Sequence, residues 1–252
     1  MATAAPQSGG RLLGVGVGPG DPELVTRQAL RVLAESDRVV APSTAVDAVG
    51  RAEAIVRQAS PELHMERLVF DMTAGGDGRG AREASHRAAA QALVRWLDDG
   101  EQVAFVTLGD PNIYSTFSSL TAAVRGLRPT VEIGSVPGIM AFQALAARAG
   151  AVLLDGTESL SLVTALDGPE ALDAAIEDPT RAVVVYKGGR HVPEIAASLS
   201  RAGRLEGAVM GELLGLPGER TGPLAQLADG PATYLATVIV PPGARRGQGQ
   251  QP

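Results

Sequence analysis

Three short segments rich in glycine, proline and aspartate follow apolar runs in this chain, and each contains residues that could do chemistry. They are Gly18-Pro19-Gly20-Asp21-Pro22, Gly109-Asp110-Pro111 and Val136-Pro137-Gly138. Glycine has no Cβ and lets the backbone approach a ligand closely. A carboxylate can hold a positive group or accept a proton. The segments are therefore candidates for a ligand site in which Asp21 and Asp110 supply the charge.

The first segment has a structural explanation and a rival function. Asp21 suits a helix N-cap and Pro22 suits the first helical position, so a capped strand-to-helix turn explains both residues. A dinucleotide-binding loop needs the spacing Gly-x-Gly-x-x-Gly. If the motif begins at Gly14, its third glycine would fall at Pro19. If it begins at Gly16, the third glycine would fall at Asp21. The glycine spacing therefore argues against a nicotinamide dinucleotide site.

The other two segments are ambiguous when each is taken alone. Gly109-Asp110-Pro111 also fits an ordinary strand-to-helix turn. The small residues after Pro137-Gly138 also fit the close packing of a helix on a sheet. Neither segment predicts a ligand site by itself.

Apolar runs of strand length alternate with helical stretches rich in Ala and Leu. The predicted strands are Leu12–Val17, Arg38–Ala41, Arg67–Phe70, Gln102–Leu108, Thr130–Ile133, Ser161–Ala165, Ala182–Lys187, Ala208–Glu212 and Thr233–Val240. The predicted helices include Glu23–Ser36, Ala84–Asp98, Ser115–Gly126, Ile139–Ala149, Glu170–Ile176 and Val192–Arg201. This alternation predicts an α/β fold with mixed or mostly parallel sheets.

The chain is predicted to form two domains with loose ends. One strand in each half is apolar throughout, as expected for a strand covered on both faces, and two such strands predict two sheets. We expect an N-terminal α/β domain over 11–134 and a C-terminal α/β domain over 135–242. The ends, 1–10 and 243–252, are rich in Gly, Ser, Gln and Pro and are predicted to be flexible tails.

Composition excludes several classes of function. The 252 residues are 45% hydrophobic and 20% charged, an ordinary globular balance. The absence of cysteine removes disulfides and thiol chemistry and fits a reducing compartment. A net charge of -6 gives no basic footprint for nucleic acid. With no signal-peptide pattern and no apolar run of membrane-spanning length, the expected location is the cytoplasm, without a membrane partner.

Taken in order, the three segments resemble the tetrapyrrole methyltransferases over residues 11 to about 242. The motifs are Gly16-x-Gly18-Pro19-Gly20-Asp21-Pro22-x-Leu24-x-Thr26, then Gly109-Asp110-Pro111, then Val136-Pro137-Gly138-Ile139. Within that family, Tyr114-Ser115-Thr116-Phe117 and Val185-Tyr186-Lys187 are similar to the group that methylates C20 of precorrin-2 in cobalamin biosynthesis. The resemblance implies two α/β domains with a ligand trough between them, a homodimer, a tetrapyrrole substrate, S-adenosyl-L-methionine (SAM) as methyl donor, and no metal.

The resemblance also implies which residues contact SAM, largely through their backbone groups. The matching positions are Pro19, Leu108, Gly109, Asp110, Ile113, Met140, Ala141, Lys187 and Leu214. Relatives often have Thr at the position of Met140. The resemblance therefore implies a backbone contact to SAM at Met140 without a hydroxyl contact.

For the tetrapyrrole, the resemblance points to Asp21 as a carboxylate facing the substrate and to Tyr114 as a second substrate contact. A cap role for Asp21 and simple ring packing for Tyr114 are the structural alternatives. Arginine suits the clamping of the substrate carboxylates. The arginines in predicted loops or helix ends are Arg51, Arg82, Arg148, Arg190 and Arg220, and surface charge explains each of them equally well.

Other functions are compatible with the same motifs. The nearest is another member of the family, acting on a cobalt-containing precursor of the anaerobic route, on a different precorrin, on diphthine or on ribosomal RNA. The acidic charge argues against RNA. A non-catalytic module that binds SAM or a tetrapyrrole without turnover is the alternative from another class.

Overall fold

The computed structural model describes residues 9–70 and 79–243, apart from the side chains of 79, 81 and 82. The predicted tails lie outside the described residues except at 9, 10 and 243. The chain forms two compact units, Met1–Met140 and Ala141–Pro252.

The first unit contains a five-stranded parallel sheet. Its strands are β1 (Arg11–Gly16), β2 (Arg38–Ser43), β3 (Glu66–Val69), β4 (Gln102–Thr107) and β5 (Glu132–Val136), in the order β3-β2-β4-β1-β5. Its helices are α1 (Arg27–Glu35), α2 (Arg51–Ala59), α3 (Arg79–Asp98) and α4 (Thr116–Leu127). The central strands β1 and β4 are buried along almost their whole length, as their apolar sequences require.

Helices cover both faces of this sheet. Alternate strand residues such as Val15 and Val106 pack with α1 and α2, while Leu12 and Phe105 pack on the other face with α3 and α4. Gly14 marks a close approach on the second face, because a Cβ there would lie 2.4 Å from the Phe117 ring. The unit is therefore a three-layer α/β/α domain built on strand alternation.

The second unit contains a mixed sheet. Its elements are α5 (Ala141–Ala149), β6 (Ser159–Thr164), α6 (Glu170–Ile176), β7 (Arg181–Tyr186), α7 (Val192–Arg201), β8 (Val209–Glu212), β9 (Arg220–Pro223), α8 (Leu224–Leu227) and β10 (Thr237–Val240). The strand order is β6-β7-β10-β8-β9, and only the β6–β7 pair is parallel. Val183 and Val185 face α6 and α7, whereas Val184 packs with Leu145 of α5. The predicted α/β class is confirmed in both units.

The predicted helix Glu23–Ser36 is wrong in its first turn. Pro22–Leu24 is a short 3₁₀ turn, which Asp21 caps by accepting the Glu23 N–H at 3.0 Å. The chain is extended again at Thr26, whose hydroxyl accepts the Ala29 N–H at 3.1 Å and starts α1. The two capping residues, Asp21 and Thr26, therefore divide the segment into a 3₁₀ turn and a helix.

A buried ion-pair network fastens α2 to β3. The Glu53 carboxylate is completely buried and accepts hydrogen bonds from Arg67 at 2.7 and 2.8 Å and from Arg57 at 2.7 and 2.8 Å. These bonds, led by those from Arg67, hold the pKa of Glu53 below its ordinary value although burial alone would raise it. The network is a structural feature of the edge of the first sheet.

Candidate functional site

The three motif segments emerge side by side because they follow parallel strands of matched length. In the sheet register Gly16 pairs with Thr107, and Val15 pairs with Val136. The carboxyl ends of β1, β4 and β5 thus share one edge of the sheet. We call the segments that follow them the first loop (17–21), the second loop (108–115) and the third loop (137–140).

The first and second loops are joined by backbone hydrogen bonds. Val17 N–H donates to the Thr107 carbonyl at 2.9 Å, and Gly109 N–H donates to the Gly18 carbonyl at 2.9 Å. Gly18 and Gly109 form an isolated antiparallel bridge beyond the ends of their strands. The two loops are therefore held together without side chains.

Two glycines let the third loop join them. A Cβ on Gly138 would lie 2.1 Å from the Gly109 carbonyl oxygen, and a Cβ on Gly16 would lie 2.4 Å from the same atom. The same Cβ of Gly16 would also lie 2.7 Å from the Gly138 nitrogen. Gly16 and Gly138 are thus required by contact between protein backbones.

The Asp110 carboxylate fastens the second loop to the third. Its Oδ2 accepts the Gly138 N–H at 3.2 Å, and its Oδ1 accepts the Asn112 N–H at 2.9 Å. The Asn112 side chain continues the link by donating to Ser135 Oγ at 3.1 Å. Asp110 therefore has a positioning role, because backbone N–H groups occupy both of its oxygens.

Gly109 differs from the two packing glycines. Its φ of +62° lies in the left-handed region, and a Cβ there would meet only the Met140 Cα, at 3.9 Å. The residue is needed for its backbone conformation, and the space beside it is open. This open space at the junction of the three loops is the part of the edge that suits a ligand.

Asp21 and Tyr114 lie on the first and second loops. Asp21 is partly buried, and its Oδ1 carries the cap hydrogen bond to Glu23. Tyr114 is 45% exposed and has a φ of 50°. An aromatic residue in the left-handed region costs about 1–3 kcal/mol, and such residues cluster at functional sites.

The remaining predicted SAM contacts of the first unit lie on the same loops. Pro19 and Met140 are buried, while Leu108 and Ile113 are partly buried. Leu108 packs against the core beneath β4. Ile113 donates its N–H to the Asp110 carbonyl at 3.4 Å. The structure therefore gathers the predicted residues of this unit at one sheet edge.

In the second unit, Ala141 begins α5, and Lys187 follows β7. Lys187 has a φ of 58°, and its Nζ lies 5.8 Å from the centre of the Tyr234 ring. Leu214 is 97% buried in a cluster with Leu145. A ligand would therefore meet the backbone of Leu214 rather than its side chain.

Strained backbone occurs among the predicted site residues of both units. Among the described non-glycine residues, positive φ angles occur at Tyr114, Lys187 and Leu213. The first two are predicted site residues, and the third precedes Leu214. Glycine would adopt the same conformation at each position without strain, yet the chain has a larger residue at all three.

Most candidate arginines have local partners in the structure. Arg148 pairs with Glu219 at 2.8 Å, Arg220 pairs with the buried Glu212 at 3.3 Å, and Arg190 donates to the Leu166 carbonyl at 3.3 Å. Arg51 is exposed at the start of α2, and the side chain of Arg82 lies outside the described residues. Binding a substrate carboxylate would require the paired arginines to exchange partners.

Sequence reasoning did not name Glu212, and it quoted Tyr186 and Ser115 in motifs without assigning their contacts. Glu212 is buried at the end of β8 and accepts the Thr233 N–H at 2.8 Å. Tyr186, the last residue of β7, accepts the Phe142 N–H of α5 at 3.2 Å through its hydroxyl. Ser115 is the N-cap of α4. The position of each polar residue at the end of an apolar strand or before a helix was a usable signal.

Comparison with known proteins decides the family. The model of the Tetrapyrrole (Corrin/Porphyrin) Methylases matches residues 11–228. The chain belongs to the tetrapyrrole methylase family. The resemblance inferred from the three motif segments is thereby confirmed.

Individual members of the family match over nearly the full chain. The precorrin-2 C(20)-methyltransferase of Sinorhizobium sp is 34% identical over 92% of this chain and 95% of its own length. The cobalt-precorrin-2 C(20)-methyltransferase of Salmonella typhimurium is 34% identical over 92% and 96%. The uroporphyrin-III C-methyl transferase of Thermus thermophilus, solved with S-adenyl homocysteine, has a TM-score of 0.62 and 25% identity over 93% and 99%.

Metal-binding clusters and membrane-spanning helices are both absent from the described ranges. No group of three or more His, Cys, Asp and Glu side chains there could hold a metal ion. No helix in that part of the chain is long and apolar enough to cross a membrane.

Proposed function

We propose that this tetrapyrrole methylase transfers a methyl group from SAM to C20 of precorrin-2, giving precorrin-3A in cobalamin biosynthesis. The observation that carries the proposal is the near full-length similarity to the precorrin-2 C(20)-methyltransferase of Sinorhizobium sp. The sequence from the second loop into α4 agrees with it, because Gly109-Asp110-Pro111 is followed by Tyr114-Ser115-Thr116-Phe117.

The residues at the edge of the first sheet fit SAM as the methyl donor. A Cβ on Gly109 would meet only the Met140 Cα, at 3.9 Å, so there is space for a ligand beside the backbone at the junction of the three loops. SAM supplies an electrophilic methyl group on a sulfonium. We infer that Pro19, Leu108, Gly109, Asp110 and Ile113 hold it in the first unit, together with Met140 at the end of the third loop. In the second unit we assign Ala141, Lys187 and Leu214.

The chemical demand on the protein is mainly positioning. The electron-rich C20 of the substrate is the nucleophile, and correct alignment of two reactants supplies about 7–11 kcal/mol in favourable cases. The proton on C20 must then leave. We assign Asp21 to accept it, because Oδ2 of that carboxylate has no hydrogen-bond partner among the described residues while Oδ1 serves as the cap.

Tyr114 is assigned to contact the tetrapyrrole. Its side chain is exposed, and its strained backbone is the kind that persists where function requires it. The phenol offers an apolar ring face and a polar tip. We therefore infer that Tyr114 packs on the macrocycle.

The cobalt complex of precorrin-2 is the second candidate substrate. The Salmonella typhimurium relative, named for the cobalt form, has the same 34% identity as the relative named for precorrin-2. Sequence similarity thus favours both substrates equally, and each is an arm of the experiment below.

We further propose that the enzyme is a homodimer and acts in the cytoplasm. The first proposal follows from the family resemblance, and the cysteine-free composition supports the second. Light scattering of the purified protein tests the first, and a mass equal to one chain would contradict it. Cell fractionation tests the second, and recovery of the enzyme outside the cytoplasmic fraction would contradict it.

The test of the proposed reaction is turnover with defined substrates. The purified protein is incubated with ¹³C-methyl SAM and either precorrin-2 or its cobalt complex. We expect one methyl group to be added, with the labelled carbon attached to C20 by NMR. Attachment at another carbon would overturn the assigned position. Absence of SAM binding by calorimetry would overturn the methyltransferase assignment as a whole.

A further inference from the structure

The second loop is anchored at its far end by one hydroxyl with two tasks. Ser115 Oγ lies 2.9 Å from Thr107 Oγ1, at the carboxyl end of β4. The same Ser115 oxygen accepts the Phe117 N–H at 3.1 Å and so caps α4. Ser115 therefore closes the loop onto the last residue of the strand from which it began.

Tyr114 lies immediately before this anchor and carries the strain of the loop. Its φ of 50° is costly for an aromatic residue, whereas Ser115 is in an ordinary extended conformation. Such strain persists only where the surrounding structure fixes the backbone. With Ser115 tied to both β4 and α4, the backbone on the carboxyl side of Tyr114 has little freedom to relax.

The near half of the loop is held by different contacts. Gly109 is bonded to Gly18, and Asp110 is bonded to Gly138 and Asn112. None of these partners is shared with Ser115. Loss of the Ser115 hydroxyl should therefore loosen the backbone beside Tyr114 while leaving the junction of the three loops intact.

We propose that Ser115 is a positioning residue that holds Tyr114 toward the tetrapyrrole. This inference rests on the proposed function, in which Tyr114 contacts the substrate. In this proposal Ser115 acts through Tyr114, and the methyl donor is held by the other residues assigned above. Its contribution is specific to the substrate and separate from donor binding.

Three variants of the enzyme separate these roles. Ser115→Ala removes both hydrogen bonds, Thr107→Val removes only the bridge to the strand, and Ser115→Thr keeps the hydroxyl and should rescue. Thr26→Ala is the matched control, because Thr26 caps α1 by accepting the Ala29 N–H at 3.1 Å in the same way. We expect Ser115→Ala and Thr107→Val to raise KM for the tetrapyrrole about three- to tenfold, in line with the loss of one or two hydrogen bonds.

Binding at the donor site distinguishes positioning from general damage to the fold. General damage would weaken the binding of S-adenosylhomocysteine as well as that of the tetrapyrrole. We expect the Kd of S-adenosylhomocysteine, measured by calorimetry, to change less than twofold in all variants. An unchanged KM for the tetrapyrrole in Ser115→Ala would overturn the proposal. So would an equal loss of tetrapyrrole and S-adenosylhomocysteine affinity, or an effect that Thr26→Ala reproduces.

A spectroscopic measurement keeps the inference testable even if the wild-type enzyme turns over neither substrate. The chain has three tyrosines, so fluorotyrosine labelling gives three ¹⁹F signals, and Tyr114→Phe identifies the relevant one. We expect Ser115→Ala to shift or broaden that signal alone and Ser115→Thr to restore it. An unmoved Tyr114 signal would refute positioning by Ser115, whereas a moved signal without turnover would refute only the proposed reaction.

Discussion

Replacing Asp110 by Asn should weaken the binding of SAM and of S-adenosylhomocysteine by the same factor. The carboxylate holds the second loop to the third through Gly138 N–H at 3.2 Å and holds Asn112 N–H at 2.9 Å. Asparagine retains one acceptor oxygen and places an NH₂ group against the other backbone N–H. One charge-assisted hydrogen bond is therefore lost, and a donor faces a donor.

The size of the effect follows from that single bond. A hydrogen bond to a charged group contributes about 1.5–3 kcal/mol. Since about 1.4 kcal/mol corresponds to tenfold in affinity, full expression of this loss in binding raises Kd by about 10- to 150-fold. Any part of the loss that appears instead as lower thermal stability reduces this factor.

Calorimetric titration with both ligands is the decisive assay, because only SAM carries the sulfonium charge. A positioning role predicts the same factor for the two ligands. Asp178→Asn is the matched control, since that carboxylate also caps a turn, accepting the Thr180 N–H at 2.9 Å, but lies at the amino end of β7. Weaker SAM binding with unchanged S-adenosylhomocysteine binding would refute the positioning argument and indicate direct contact between Asp110 and the sulfonium.

Three further perturbations test the packing and electrostatics described above. Gly138→Ala should cost roughly 3 kcal/mol or more in stability and abolish SAM binding, since its Cβ would lie 2.1 Å from a backbone oxygen. Gly126→Ala on open helix surface should instead stabilise by about 1 kcal/mol, and equal melting temperatures for the two variants would contradict this reasoning. Glu53 has a lowered pKa, so its stabilising contribution is complete above the ordinary value of 4.5 and is lost as the pH falls through the lower folded-state value. Glu53→Gln should cost about 3 kcal/mol at pH 7 and flatten the acid side of the stability profile measured by urea titration, and an unaltered profile would count against the network. Tyr186→Phe should weaken S-adenosylhomocysteine binding about two- to tenfold by uncapping the Phe142 N–H, whereas Tyr234→Phe should have no effect in the same titration.

The class of the fold was readable from the sequence because strand burial leaves a direct signature. The strand Gln102–Thr107 is apolar almost throughout, and the structure places it at the centre of the first sheet. The helix Arg51–Ala59 was missed, because its buried Glu53 interrupts the apolar face that would have indicated a helix. The strand Arg220–Pro223 was missed because it is a short, exposed edge strand without apolar alternation.

The site was predictable as a set of segments but not as a set of contacts. Parallel strands bring their carboxyl ends to one edge, so the three loops had to meet once the strands were placed correctly. The sequence did not show that Gly16 and Gly138 serve contact between backbones while Gly109 serves conformation. That distinction depends on register and on φ, and glycine is the same residue in each case.

The second loop consists of two halves that are anchored independently, and this accounts for the different information they carry. Gly109-Asp110-Pro111 is bonded to the first and third loops, so it can change only together with the other two segments. These linked segments are the ones that indicated the family. The half that contains Tyr114 and Ser115 is tied to β4 and to α4 through the Ser115 hydroxyl. The Ser115 hydroxyl shares no hydrogen-bond partner with Asp110, so a change at Ser115 leaves the contacts between the second and third loops in place.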